Sequence, residues 1–126
     1  MSSILLDTNY LIKSLIPDST EAEQIGAWIE KKIDLITSSI CWYEFLCGPV
    51  DASGIEVMEM ILQGRVIPFT EDQSREAARM FNRTGRQRSL RVDSRIAAAA
   101  ILSNAALATD NNRDFSLFEE LGLTLV

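Results

Sequence analysis

The chain has 126 residues, 47% of them hydrophobic and 24% charged, with a formal net charge of −6. That is the balance of an ordinary soluble globular protein, long enough to bury a core without disulfides or a structural metal. Histidine is absent, which removes Ser-His-Asp and Cys-His hydrolases, most zinc sites and His-based acid–base chemistry. The acidic balance also argues against a protein that coats nucleic acid non-specifically.

The opening stretch, MSSILLDTN, meets an aspartate after three apolar residues and does not read as a signal peptide. The longest apolar run, IAAAAIL from Ile96 to Leu102, is far shorter than a membrane span. A cytoplasmic protein without membrane association, forming a single domain over residues 1–126, is expected.

SILL, ending at Asp7, suits a buried strand. Pro17 and the STEAE stretch announce a helix, with Thr20 and Glu23 in capping-box spacing. Ala22, Ile25, Ala27, Trp28, Ile29 and Ile33 supply its apolar positions. DLITS reads as a second strand, followed by the apolar helix SICWYEFLC, which Gly48 and Pro49 stop. Cys41 and Cys47 within it read as two buried thiols acting as small hydrophobes, and Trp28, Trp42 and Tyr43 as core aromatics. Ile55, Met58, Ile61 and Leu62 give another helical face closed by Gly64. RVIPF is a short strand that Pro68 places at an edge or ends. Thr70 and Gln73 form a second capping box, opening a helix to about Gly85. Val92–Ser103 is an Ala-rich helix, and AALAT and LTLV are two further strand candidates. Strands alternating with helices at this spacing predict an α/β domain with a largely parallel sheet of four to five strands.

Three carboxylates violate their local pattern. Asp7 ends an apolar strand, Glu44 is the only charge in an apolar helix, and Asp93 stands at the entrance of another. Each costs several kcal/mol in order of magnitude unless capped, solvated, paired or bound to a cation. Strand C-terminal ends converge on one edge of a parallel sheet, where sites form. Asp7 and the acids of TDNNRDF, Asp110 and Asp114, both follow strands. Such a cluster repels itself unless a divalent cation neutralises it. With oxygen ligands only, the expected ion is Mg²⁺ or Mn²⁺, and the natural chemistry is hydrolysis of a phosphate ester.

These residues resemble the PIN-domain ribonucleases, and within them the VapC-like toxins of toxin–antitoxin pairs. LLDTNYLI resembles the opening strand and first acid, Asp7, followed by Thr8 and Asn9. YEFLCG resembles the element of the second acid, Glu44, with Phe45 in place of leucine and Gly48 retained. VDSRIAAAA resembles the third acid, Asp93, opening its helix. LATDNNRDF resembles the closing element, with Asn111 where many members carry aspartate. The resemblance implies a three-layer α/β/α domain and Mg²⁺- or Mn²⁺-dependent RNA cleavage by a metal-activated water. It also implies a homodimer inhibited by a small antitoxin. It assigns Asp7, Glu44, Asp93 and Asp114 as catalytic metal ligands, with Asp110 the runner-up for the fourth place. Thr8, Asn9, Thr109 and Asn111 would orient ligands or water.

Seven of the twelve basic residues fall between Arg75 and Arg95, and all seven are arginines. Glu71–Arg75 and Glu76–Arg79 have the spacing of helix ion pairs. Arg86, Arg88 and Arg91 have fewer local acids and are candidates for contacts to RNA phosphates. Two other readings are carried: a non-catalytic PIN-like module whose acidic groove docks a basic peptide, and an Asp-based phosphatase. The phosphatase needs a second aspartate two residues after the first, where Asn9 stands.

Overall fold

Residues 3–126 are described by the structure, a computed structural model. Four strands pair in parallel: β1 (Ser3–Leu6), β2 (Asp34–Ser38), β3 (Val66–Ile67) and β4 (Ala106–Ala108), in the spatial order β3–β2–β1–β4. Seven helices accompany them: α1 (Thr8–Lys13), α2 (Thr20–Glu30), α3 (Ser39–Cys47), α4 (Ala52–Leu62), α5 (Glu71–Arg83), α6 (Arg91–Leu102) and α7 (Asn112–Phe115). Short 3₁₀ turns span Arg88–Leu90 and Ser116–Leu121. The architecture is a three-layer α/β/α sandwich around an all-parallel sheet, as expected.

β1 is central because its residues Ile4, Leu5 and Leu6 are apolar without alternation, so both sheet faces can be covered. It pairs Leu5 with Ile36 on one side and with Leu107 on the other. This puts the ends of β1 and β4 side by side, and the Asp7 N–H donates to Ala108 O at 2.9 Å. Thr37 is fully buried at the β2 end, and its hydroxyl donates to Leu6 O at 2.7 Å. The edge position expected for RVIPF holds: β3 is two residues long and Pro68 follows it.

LTLV forms a single parallel bridge, Leu107 with Leu125, rather than a fifth strand. The reason lies in β4, only three residues long. All three of its residues are in register with β1, and on the outer side only Leu107 bonds the last segment, its N–H to Thr124 O and its carbonyl to the Val126 N–H. The helix caps also refine the expectation. Ser19, not Thr20, caps α2, accepting from the Ala22 N–H at 3.0 Å while donating to Lys13 O. Thr70 caps α5 as predicted, accepting from the Gln73 N–H.

The core draws on every layer, with Phe45, Phe115, Phe118, Leu5, Leu11 and Met80 fully enclosed. Ala97, Ala98, Ala99 and Ala100 are all at 0% exposure, so α6 is embedded on every side there. Helix α3 departs from the expectation that it is buried all round. Cys41 is enclosed, but Cys47 is exposed, Trp42 is half-buried and Tyr43 is 68% exposed. Among the described residues, no element covers the side of α3 that carries Tyr43, Leu46 and Cys47, so its apolar composition does not report burial. Among the described residues, no helix is long and apolar enough to cross a membrane.

Phe115 anchors the loop that follows β4, packing on Phe118 at 6.2 Å between ring centroids. Phe115→Ala should destabilise the fold by about 3–5 kcal/mol, read from the urea unfolding midpoint at unchanged m value. A loss under about 1 kcal/mol would mean the ring does not hold that loop.

Candidate active site

Asp7 follows directly on the buried end of β1 and serves as N-cap of α1, with extended φ −71° and ψ 162°. Its Oδ1 accepts from the Thr8 N–H at 2.8 Å, and its Oδ2 accepts from the Thr109 hydroxyl at 2.7 Å. Parallel pairing of β1 with β4 makes that second bond possible, because it sets the residues following the two strands beside each other. Asp7 is 5% exposed, and burial raises its pKa despite these donors, with the Glu44 charge adding to the rise.

Glu44 comes from α3, one turn beyond the buried Cys41. Its Oε1 accepts from the Thr8 hydroxyl at 2.8 Å, so the residue after the first acid holds the second. Asp93 stands in the first turn of α6 and is half-buried. Burial, then the charges of Asp7, Asp114 and Glu44, push its pKa up to about 6. Four acids from three helices and a strand end thus share one electrostatic site. Asp114, on α7, accepts from the Asn111 side-chain amide at 3.2 Å, and the Asn111 N–H donates to the Thr109 hydroxyl at 3.0 Å.

Asp110 is engaged elsewhere. Its Oδ2 lies 2.7 Å from Lys13 Nζ, and its N–H donates to Asn9 Oδ1 at 3.2 Å. Asn9 and Lys13 are four residues apart on α1 and so share a face. Asp110 is not among the charges that raise Asp93.

Two participants escaped the sequence reading. Lys13 had no local acid to mark it, although its i, i+4 relation to Asn9 was visible. Cys41 read only as a small hydrophobe, yet its thiol donates to Asp7 Oδ1 at 3.7 Å. Burial and the Asp7 charge push that thiol up to about 12, so it stays neutral. Its position three residues before Glu44 was the available signal.

Arg86, Arg88 and Arg91 are all exposed. The guanidinium groups of Arg86 and Arg91 lie over the Phe81 ring, 5.6 and 5.7 Å from its centroid. Arg75 pairs with Glu71 and Arg79 with Glu76, as their spacing predicted.

Among the described residues, no three carboxylate or thiolate groups already enclose a common point at metal-binding distance. The donor chemistry nevertheless fits a hard divalent cation: oxygen ligands, two carboxylates raised by burial, and mutual repulsion. Lys13, the ammonium of the adjoining helix, is taken up by Asp110.

The fold is a parallel α/β/α sandwich with acids gathered beyond its central strands. The sequence matches the PIN domain over residues 4–121, and the chain belongs to the PIN-domain family. No curated protein matches it in sequence. Its fold is shared with FitAcB from Neisseria gonorrhoeae, 23% identical with a TM-score of 0.70 over 97% of this chain and 95% of that one. VapBC2 from Rickettsia felis, bound to a DNA fragment from its promoter, is 18% identical with a TM-score of 0.72 over 98% and 97%. Mycobacterium tuberculosis VapC20, a sarcin–ricin loop cleaving toxin, is 21% identical with a TM-score of 0.65 over 98% of each chain.

Folding raises the Asp93 pKa from 3.8 to about 6. Between those values the folded, metal-free protein holds more protons than the unfolded chain, so its stability falls as pH rises through that window. In chelator, the Tm should be higher at pH 5 than at pH 7 by roughly a few degrees. Asp93→Asn should raise the Tm at pH 7 and shrink that difference. A variant that kept the parent's Tm at both pH values would place the dependence on other groups.

Proposed function

We propose that the chain is a divalent-metal-dependent endoribonuclease and the toxin of a toxin–antitoxin pair. The observation that carries this reading is the convergence of Asp7, Glu44, Asp93 and Asp114 on one site, with Asp93 raised to about 6 by burial and the other three acids. Membership of the PIN family supports nuclease chemistry, and the fold shared with a sarcin–ricin loop cleaving toxin supports RNA as the substrate class.

In this reading the four acids hold Mg²⁺ or Mn²⁺. A cation bound there supplies activation of water and neutralises charge on the phosphate oxygen. The chain's own polar groups keep the acids in place. Thr109 and the Thr8 N–H fix the two oxygens of Asp7, the Thr8 hydroxyl fixes Glu44, and Asn111 fixes Asp114. Asn9 contributes by binding the backbone of Asp110. Asp114 is assigned the fourth place over Asp110, whose carboxylate is committed to Lys13. Arg86, Arg88 and Arg91 are assigned to RNA phosphates.

The protein is read as cytoplasmic, a homodimer and the partner of a small antitoxin. Structures of the same fold include a toxin–antitoxin complex from Klebsiella pneumoniae, 24% identical with a TM-score of 0.72. The exposed apolar side chains Tyr43 and Leu46 on α3, and Val57 and Met60 on α4, suit protein partners. One observation favours the second reading, a docking module without catalysis: no three ligating groups among the described residues yet surround one point.

The decisive measurement is RNA cleavage with Mg²⁺ or Mn²⁺. Asp7→Asn, Asp93→Asn and Asp114→Asn should each lower the rate at least about 100-fold, and Asp110→Asn should stay within about tenfold of the parent. Equal cleavage by all four variants would expose a contaminating nuclease. A dead Asp110→Asn beside an active Asp114→Asn would reverse the assignment of the fourth acid. Calorimetric titration with Mn²⁺ separates the docking module, which needs no metal binding sensitive to Asp7→Asn.

A further inference from the structure

We propose that the cleft between α5 and α6 is a subsite for one nucleobase and the adjoining phosphate of single-stranded RNA. The inference rests on the ribonuclease reading and gives the strand a second point of attachment, on another face of the helix that carries Asp93.

The cleft has a volume of about 340 Å³ and is lined by Phe69, Ala77, Ala78 and Phe81 on one side and by Arg91 and Arg95 on the other. Both phenylalanines are half-buried, so part of each ring remains accessible. The local backbone explains the arrangement. Helix α5 ends in a turn in which the Arg86 N–H bonds Phe81 O at 3.1 Å, with Gly85 at φ +91° and Arg86 at φ +58°. That turn folds the chain back, and Arg86 comes to lie over the Phe81 ring. The 3₁₀ turn at Arg88–Leu90 then starts α6, whose first residue, Arg91, lies over the same ring.

Two features select the ligand. The first is charge. Among the described residues, none of Arg86, Arg91 and Arg95 has a carboxylate within ion-pair distance, although acids outnumber basic residues eighteen to twelve. Three unpaired guanidiniums at one edge of an acidic protein call for an anion. The second is shape. Aromatic rings and guanidinium planes stack on bases, and single-stranded RNA offers both a flat π-face and a phosphate. An acidic peptide would use the charges but not the accessible parts of the rings.

The cleft and the acid site share helix α6. Arg91 and Arg95 stand two residues before and after Asp93, a spacing that turns them about 160° away from it around the helix, so the two sites occupy different faces of α6. Phe69 is held by its N–H to the Ser39 hydroxyl at 3.1 Å, at the start of the helix that carries Glu44.

Binding is measured by fluorescence anisotropy in chelator, so that no strand is cut, with three probes: a single-stranded oligoribonucleotide, an abasic ribose-phosphate strand of equal length, and an acidic peptide. Phe81→Leu should weaken the base-bearing strand about tenfold and leave the abasic strand unchanged. Arg91→Ala and Arg95→Ala should weaken both strands and each reduce the salt slope by about 0.7. Phe69→Leu repeats the comparison on the second ring should Phe81→Leu fail to fold. Equal losses on both strands, or none, would remove the base subsite, and tighter arginine-dependent binding of the acidic peptide would make the cleft a protein-docking site. A parent that discriminates base from abasic strand but never cleaves RNA would instead sink the nuclease reading and leave the cleft standing.

Discussion

The hydrogen bond from the Thr109 hydroxyl to Asp7 Oδ2, 2.7 Å long and spanning 102 residues, is the contact on which the site depends. It joins the ends of the first and last strands of the sheet, and it exists only because β1 and β4 are parallel neighbours in one register. The same threonine oxygen accepts the Asn111 N–H, and Asn111 in turn holds Asp114. Thr8, on the other side, gives its N–H to Asp7 and its hydroxyl to Glu44. Two threonines, each next to a strand end, thereby fix Asp7 and Glu44 directly and Asp114 through Asn111. Buried acceptors left unpaired cost more than bonded ones gain, so these hydroxyls also make burial of Asp7 tolerable.

The arrangement works against the stability of the metal-free fold. Hydrogen bonds to Asp7 lower its pKa, yet desolvation and its neighbour's charge still leave it raised. Among the described residues no donor bonds the Asp93 carboxylate, and the charges of three acids add to the effect of its burial. A fold selected for stability alone would have an apolar or amide side chain at the entrance of α6. Strain of this kind is the ordinary signature of a functional site in an otherwise consistent fold.

Much of this was legible in the sequence, for identifiable reasons. Uninterrupted apolar runs, alternating with helical periodicity, specified a parallel sheet, and Pro68 marked the edge strand correctly. Acids at positions where the pattern demanded apolar residues marked Asp7, Glu44 and Asp93, whose charges the fold brings within reach of one another. Three things were hidden. Burial all round α3 is not readable from composition, because an apolar helix face left uncovered by the described residues looks the same in sequence as an enclosed one; hence Tyr43 and Cys47 are exposed where core positions are expected. The cap of α2 shifted by one residue because Ser19 and Thr20 are both competent caps. Lys13 was invisible because its partner, Asp110, is 97 residues away and met only through β1–β4 pairing.

The loop after β4 shows how a departure from a family pattern can be absorbed. An aspartate at position 111 would stand beside Asp114 and repel it. Asparagine keeps the shape and replaces a charge with a donor, and that donor goes to Asp114 Oδ2. One fewer negative charge then has to be neutralised, and the remaining acid is oriented by a neighbour rather than repelled by it. Asp110 restores the charge but not the crowding, because Lys13 compensates it on the outer face of α1. The loop therefore carries two aspartates with opposite environments, one facing other acids and one facing a cation. On electrostatic grounds only the first has a reason to attract a metal ion.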